Sequence, residues 1–251
     1  MPGTCQRQAA RWFQEDSWLA FVLPLAIFLL VGALEPTADT PGGQSLGLAI
    51  GYAYYPWVYT SKIILTLAVL VLFCPAYRGL TARLTPLAVM VGLVGAAAWI
   101  ALARLRLEHK LASAVGLGWL DVGTRSAFNP FQEIGCPTAA WAFLAIRFFG
   151  LVVVIAAAEE LFLRGYVLRL IVDEQWWRVP IGQITRASAI AGTLLPMFMH
   201  PQELFAAAVW FSLVTWLMTR TRSIWDCVLA HGLTNLCLGL YAVFSGHWEL
   251  L

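Results

Sequence analysis

The chain is poor in charge. Only 12% of its 251 residues are Asp, Glu, Lys or Arg, whereas 60% are hydrophobic, and the mean hydropathy is +0.74. A soluble globular domain is nearer one quarter charged, so too few polar side chains are present to cover a water-facing surface. Nucleic-acid binding is also excluded, because it needs a clustered basic face. Here the net charge is +2 and the basic residues are dispersed between apolar segments. Cysteines are few and unpatterned. Cys5, Cys74, Cys136, Cys227 and Cys237 form no CxxC pair and no zinc-finger spacing, so no disulfide framework is expected. An HExxH zinc signature is missing too, as are internal repeats and low-complexity tracts.

What the chain does have is long apolar runs. A membrane span needs about 20 mostly apolar residues. Runs at 17–34, 55–74, 86–103, 141–163 (continuing as helix toward 171), 187–201, 204–219 and 224–244 meet that need. The expected fold is all-α, a polytopic helical membrane protein with about seven transmembrane helices, six to eight, since 36–55 leaves room for a short re-entrant piece. Residues 104–140 form the longest polar connection, broken by the Asn129-Pro130 turn signal, and part of it is expected along the membrane surface. Arg7, Arg11, Glu15 and Asp16 precede the run from Trp18 in a signal-peptide-like layout, but no small-residue cleavage site follows, so the run is read as a retained first span. With the N-terminus inside, ten basic residues fall on the cytoplasmic side, Arg164 among them. Six, including Lys62 and Arg147, fall on the other, and that asymmetry favours a cytoplasmic N-terminus.

An ionisable side chain at the bilayer centre costs roughly 2.5–3.5 kcal/mol on insertion scales, so each one asks for an explanation. Three groups stand out: Glu159, Glu160 and Arg164; His200; and His231 with Asn235. On a helix, Glu160 and Arg164 are i, i+4 with the acid first, the favoured order for an ion pair. Glu159 is turned about 100° from Glu160, and a carboxylate buried without a cation is suited to act as a general base. His231 and Asn235 share one helix face. Histidine can move a proton, and asparagine can donate to a developing oxyanion. His200 stands at a helix break before Pro201. Counted from the cytoplasmic charges, the three groups lie at comparable depths within a few turns.

Each group also has a plainer reading. Glu160 and Arg164 can simply lock neighbouring helices, Glu159 can reach interfacial water, and an intramembrane histidine can serve as a helix–helix hydrogen bond. His109, in a charged loop, and His247, near the C-terminus, read as solvated bystanders. The tryptophans, such as Trp176 and Trp177, read as interfacial belt residues.

The motifs resemble a known family. "EELFLR" (Glu159–Arg164) fits the EExxxR motif of the CPBP family, the CAAX-protease and bacteriocin-processing intramembrane proteases, and "HGLTN" (His231–Asn235) fits its HxxxN motif. The family's FxxxH histidine corresponds to His200. The position four before it is Pro196, and the nearby phenylalanine is Phe198. The resemblance implies a helical fold with an active site sunk in the bilayer. It implies that Glu159 activates water with help from His200, and that His231 and Asn235 stabilise the oxyanion. It divides the chain into N-terminal spans and polar connection (1–140) and a CPBP-like catalytic core (141–251). The architecture is also similar to the CAAX-protease-related proteins of bacterial exosortase systems.

The expected activity is therefore an endopeptidase cutting near the C-terminus of a membrane-tethered protein or peptide, in a bacterial inner membrane. Family members have been called metalloproteases. If a divalent metal such as Zn is bound, Glu159, His200 and His231 are its candidate ligands; the other reading is metal-independent, glutamate-assisted hydrolysis. Two further alternatives stay open, a proton-coupled transporter and a catalytically inactive scaffold or sorting protein.

Overall fold

A computed structural model describes residues 17–38, 44–45, 48–81, 83–114 and 127–251. The signal-like N-terminus with Cys5, Arg7, Arg11, Glu15 and Asp16 lies outside the described residues, as do Asp121 and Arg125 of the polar connection. The chain is an all-α polytopic membrane protein. Its helices are α1 (Trp18–Gly32), α2 (Tyr55–Leu72), α3 (Pro86–Leu105), α4 (Leu107–Ala114), α5 (Pro130–Glu133), α6 (Pro137–Val172), α7 (Arg186–Met197), α8 (Leu204–Thr221) and α9 (Ile224–Ser245). Where a re-entrant piece was allowed for, Gln44 pairs with Ala49 and Ser45 with Leu48 in a minimal antiparallel ladder, β1 with β2. Among the described residues, five helical segments are long and apolar enough to cross a membrane: Tyr52–Leu72, Pro86–Leu111, Pro137–Val172, Leu204–Thr221 and Ile224–Ser245. α1 is a shorter apolar helix, and the run expected at 187–201 is the twelve-residue α7.

The chain divides into two compact units, one of residues 1–81 and 128–166, the other of 82–127 and 167–251. In the first, α1 packs on α2, and α6 packs on both. Pro24 lies inside α1. It has no N–H, so the carbonyl four residues earlier loses its helical donor. That carbonyl is Ala20's, and the Tyr77 hydroxyl donates to it at 2.5 Å. Burial holds the Tyr77 phenol well above its ordinary pKa, so the proton of this bond is retained.

Two basic residues tallied on the non-cytoplasmic side, inside the expected spans 55–74 and 141–163, are buried and partnered. Lys62 of α2 pairs with Glu35, and its ammonium lies over the Phe28 and Tyr59 rings at 4.2 and 4.5 Å. Arg147 of α6 donates to the Phe128 carbonyl at 3.0 Å. Both are held by partners that offset the cost of a buried charge.

In the second unit, α3 packs on α8 and α9 through two glycines. A Cβ on Gly92 would stand 2.9 Å from the Ala230 carbonyl oxygen, and one on Gly95 2.7 Å from the Trp210 ring. Only helices without side chains at these points approach so closely. At one end of this group, Asp226 in the first turn of α9 accepts from the Thr85 N–H (2.7 Å) and hydroxyl (3.0 Å). At the start of α8, the Glu108 carboxylate of α4 accepts from Phe205 N–H at 2.9 Å, satisfying one of the first-turn donors that a helix leaves unpaired. His109 thus sits on a short helix rather than in a loop. Asn129 is the N-cap of α5, its side chain accepting from Phe131 N–H at 3.0 Å with Pro130 at N1. α7 begins with a reciprocal Thr185–Ser188 capping box.

Candidate active site

Glu159, Glu160 and Arg164 all lie on α6, in the first unit. The stretch that carries them is not uniformly α-helical. Ala156–Glu160 forms one α-turn between π-helical segments Gly150–Ile155 and Leu161–Val167. Such i→i+5 winding is uncommon and is found frequently at functional sites. The first segment opens on Gly150, where a Cβ would stand 2.5 Å from the Ile63 side chain of α2. The second contains Gly165.

Glu160 and Arg164 are both 0% exposed, and Arg164 Nη1 donates to Glu160 Oε2 at 2.5 Å. The expected i, i+4 ion pair is therefore present, in surroundings where a charge-assisted hydrogen bond is strong. Glu159 retains partial exposure on the neighbouring direction of the helix.

His200, His231 and Asn235 belong to the second unit. α7 ends at Met197, and the turn after it delivers His200. The His200 N–H bonds to the Met197 carbonyl at 3.0 Å, and ring Nδ1 lies 2.9 Å from the Pro196 carbonyl oxygen. A carbonyl only accepts, so Nδ1 carries the proton of that bond, and in the neutral ring Nε2 is left as the acceptor. Pro196 departs from the family's phenylalanine, yet its carbonyl orients the imidazole.

The His200 ring sits edge-on to Trp99 of α3 at 5.4 Å between centroids, and 5.6 Å from Phe211 of α8. His231, on α9, is nearly buried, with its ring 4.6 Å from that of Trp210. Asn235 follows one turn later on α9, half-buried. Both histidines thus rest on one aromatic cluster, Trp99, Trp210 and Phe211, in which Trp210 lies 4.7 Å from Phe211 and 6.3 Å from Trp99.

Sequence reasoning missed that cluster. Trp99 and Trp210 are buried rather than in an interfacial belt, and so is Trp176, under the Arg169 guanidinium at 5.2 Å; Trp177 is exposed. Nothing local in the sequence links these rings, which α3 and α8 bring together. His247 pairs with Glu249 at 2.9 Å and stacks on Tyr241. Among the described residues, no three or more His, Cys, Asp or Glu side chains are grouped to hold a metal ion.

Residues 140–237 match the family model described as Type II CAAX prenyl endopeptidase Rce1-like. The matched segment is similar to that family. It contains the EExxxR stretch, His200 and the HxxxN motif, consistent with a CPBP-family intramembrane protease. At the level of the family, this indicates a CAAX-type intramembrane endopeptidase, and with its apolar helices the chain is an integral membrane protein. No curated protein and no solved structure matches the chain significantly.

Proposed function

We propose that the chain is an intramembrane endopeptidase that hydrolyses a peptide bond near the C-terminus of a membrane-tethered protein or peptide. The observation that supports this most is the unequal state of the two adjacent glutamates. Glu160 is wholly buried against Arg164, whereas Glu159 is partly exposed on a helix wound unusually on both sides.

In this reading Glu159 takes a proton from water, and His200, with Nε2 as acceptor, assists. The water oxygen bonds to the scissile carbonyl carbon, and the charge moving onto the carbonyl oxygen is met by donors from His231 and Asn235. The C–N bond then breaks and the proton held by Glu159 passes to the leaving amine. Glu160 and Arg164 hold the helix. No step runs through a metal.

The bilayer in question is a bacterial cytoplasmic membrane, with the N-terminus inside. Setting aside the buried Lys62, Arg147 and Arg164 leaves nine basic residues on the cytoplasmic side against four, which supports that orientation.

The test uses the full chain reconstituted in liposomes with a fluorogenic prenylated peptide ending in a CAAX box. Wild type cleaves it, and Glu159→Gln loses about 10²–10⁴-fold in rate while melting at the wild-type temperature. Cleavage by Glu159→Gln at the wild-type rate sinks the assignment. The same peptide without its prenyl group reports whether the lipid is part of what is recognised.

A further inference from the structure

The indole of Trp210 is held in one orientation by a hydrogen-bond relay with a fixed direction. Its Nε1–H, which can only donate, gives to Thr234 Oγ1 at 3.0 Å. The Thr234 hydroxyl gives in turn to the Gly92 carbonyl at 2.9 Å, and that oxygen can only accept. The relay therefore has a single satisfied arrangement. It joins α8, α9 and α3, and all three residues are buried.

Gly95 completes the seat, because a Cβ there would fall 2.7 Å from Trp210 Cδ1 and 2.8 Å from Nε1. The indole so fixed lies against the His231 ring at 4.6 Å. Through Phe211 (4.7 Å) and Trp99 (6.3 Å), it also abuts the two rings that flank His200.

We infer that Trp210, locked by Thr234 and Gly92, is a positioning residue that sets the ring plane of His231 for hydrolysis. The inference rests on the endopeptidase reading for its consequence, but the geometry it describes stands without it. Trp210 touches no reacting atom in this account. Its effect passes through His231, and a misplacement of about 1 Å at a reacting group can cost about a hundredfold in rate. Thr234 thereby gains a role within "HGLTN" separate from those of His231 and Asn235.

The experiment uses the full chain in detergent with isotope-labelled histidine. The protein has four histidines, so each ring signal can be assigned from a single His→Gln variant. Thr234→Val breaks the relay at its centre. The His231 ring signals shift, those of His247 stay in place, and kcat on the prenylated reporter peptide falls about tenfold or more with KM unchanged. Thr234→Ser, which keeps the hydroxyl, restores both. If Thr234→Val yields no folded protein, Trp210→Phe removes the indole N–H while keeping an aromatic ring, and the same signals are read.

His231 signals unmoved in the variant overturn the inference. So does a fall in melting temperature with kcat retained, since it reduces the relay to a structural tie. Should wild type cleave nothing, the endopeptidase reading fails, and the histidine signals still decide the positioning role.

Discussion

Ala20 and Glu160 show how a single residue inside a span is kept satisfied. Pro24 deprives the Ala20 carbonyl of its helical donor, and Tyr77, 57 positions away, supplies another. Tyr77→Phe should then leave a buried acceptor unmet and cost about 1–3 kcal/mol, read as a lower melting temperature in detergent. Pro24→Ala restores the local N–H, so in the Pro24→Ala background the same Tyr77→Phe change should cost less. Equal losses in the two backgrounds would contradict the account. Arg164→Ala should be harsher, about 3–5 kcal/mol, because it strands the wholly buried Glu160 carboxylate. Replacing both partners by Leu and Met should recover most of that loss in the same melts. The Glu160–Arg164 pair was legible in the sequence, since i, i+4 spacing is a local property of any helix. The Tyr77–Ala20 bond was not, since nothing local links residues so far apart.

At the scale of elements, hydrophobic runs located the helices, and short-range chemistry then set their ends. α7 stops at Met197 ahead of Pro201, which has no N–H to offer the Met197 carbonyl and disfavours a helical His200 before it, and the turn formed there presents His200. The π-wound turns of α6 were invisible to a count at 3.6 residues per turn; Gly150 and Gly165 were their only marks. The polar connection also holds more order than its composition suggested, because Glu108 of α4 caps α8. Glu108→Ala should remove about 0.5–2 kcal/mol, the usual worth of a side-chain cap, with hydrogen exchange quickening first at Leu204–Ala206. Gly92→Ala tests the contact of α3 with α9. The new methyl meets a backbone oxygen rather than a flexible side chain, so a loss of about 1–3 kcal/mol in the melt is expected. A neutral substitution would show that the helices have room to part.

For the whole molecule, orientation is the property most open to a direct test. Cys74 and Cys136 are exposed thiols at opposite ends of the expected crossings, Cys74 after α2 and Cys136 before α6. With the N-terminus inside, a membrane-impermeant maleimide should label Cys136 in intact cells and Cys74 only after permeabilisation, as read by mass spectrometry. The reverse pattern would invert the topology. That orientation decides which leaflet supplies the substrate's tail.

Composition by itself determined that this chain lives in a bilayer as a bundle of helices, because 60% hydrophobic residues in runs of span length leave no other way to satisfy the backbone. Local spacing by itself determined that Glu160 pairs with Arg164 and that His231 and Asn235 share a face. Only the tertiary structure decided which partners hold Lys62 and Arg147, that Trp99 and Trp210 leave the lipid interface to hold two histidines, and that Thr234 bonds to Gly92. The physical reason is the range of the interactions. Helix periodicity and capping act over about four residues, whereas a buried ring or hydroxyl finds its partner on whichever helix packing brings within 3 to 5 Å.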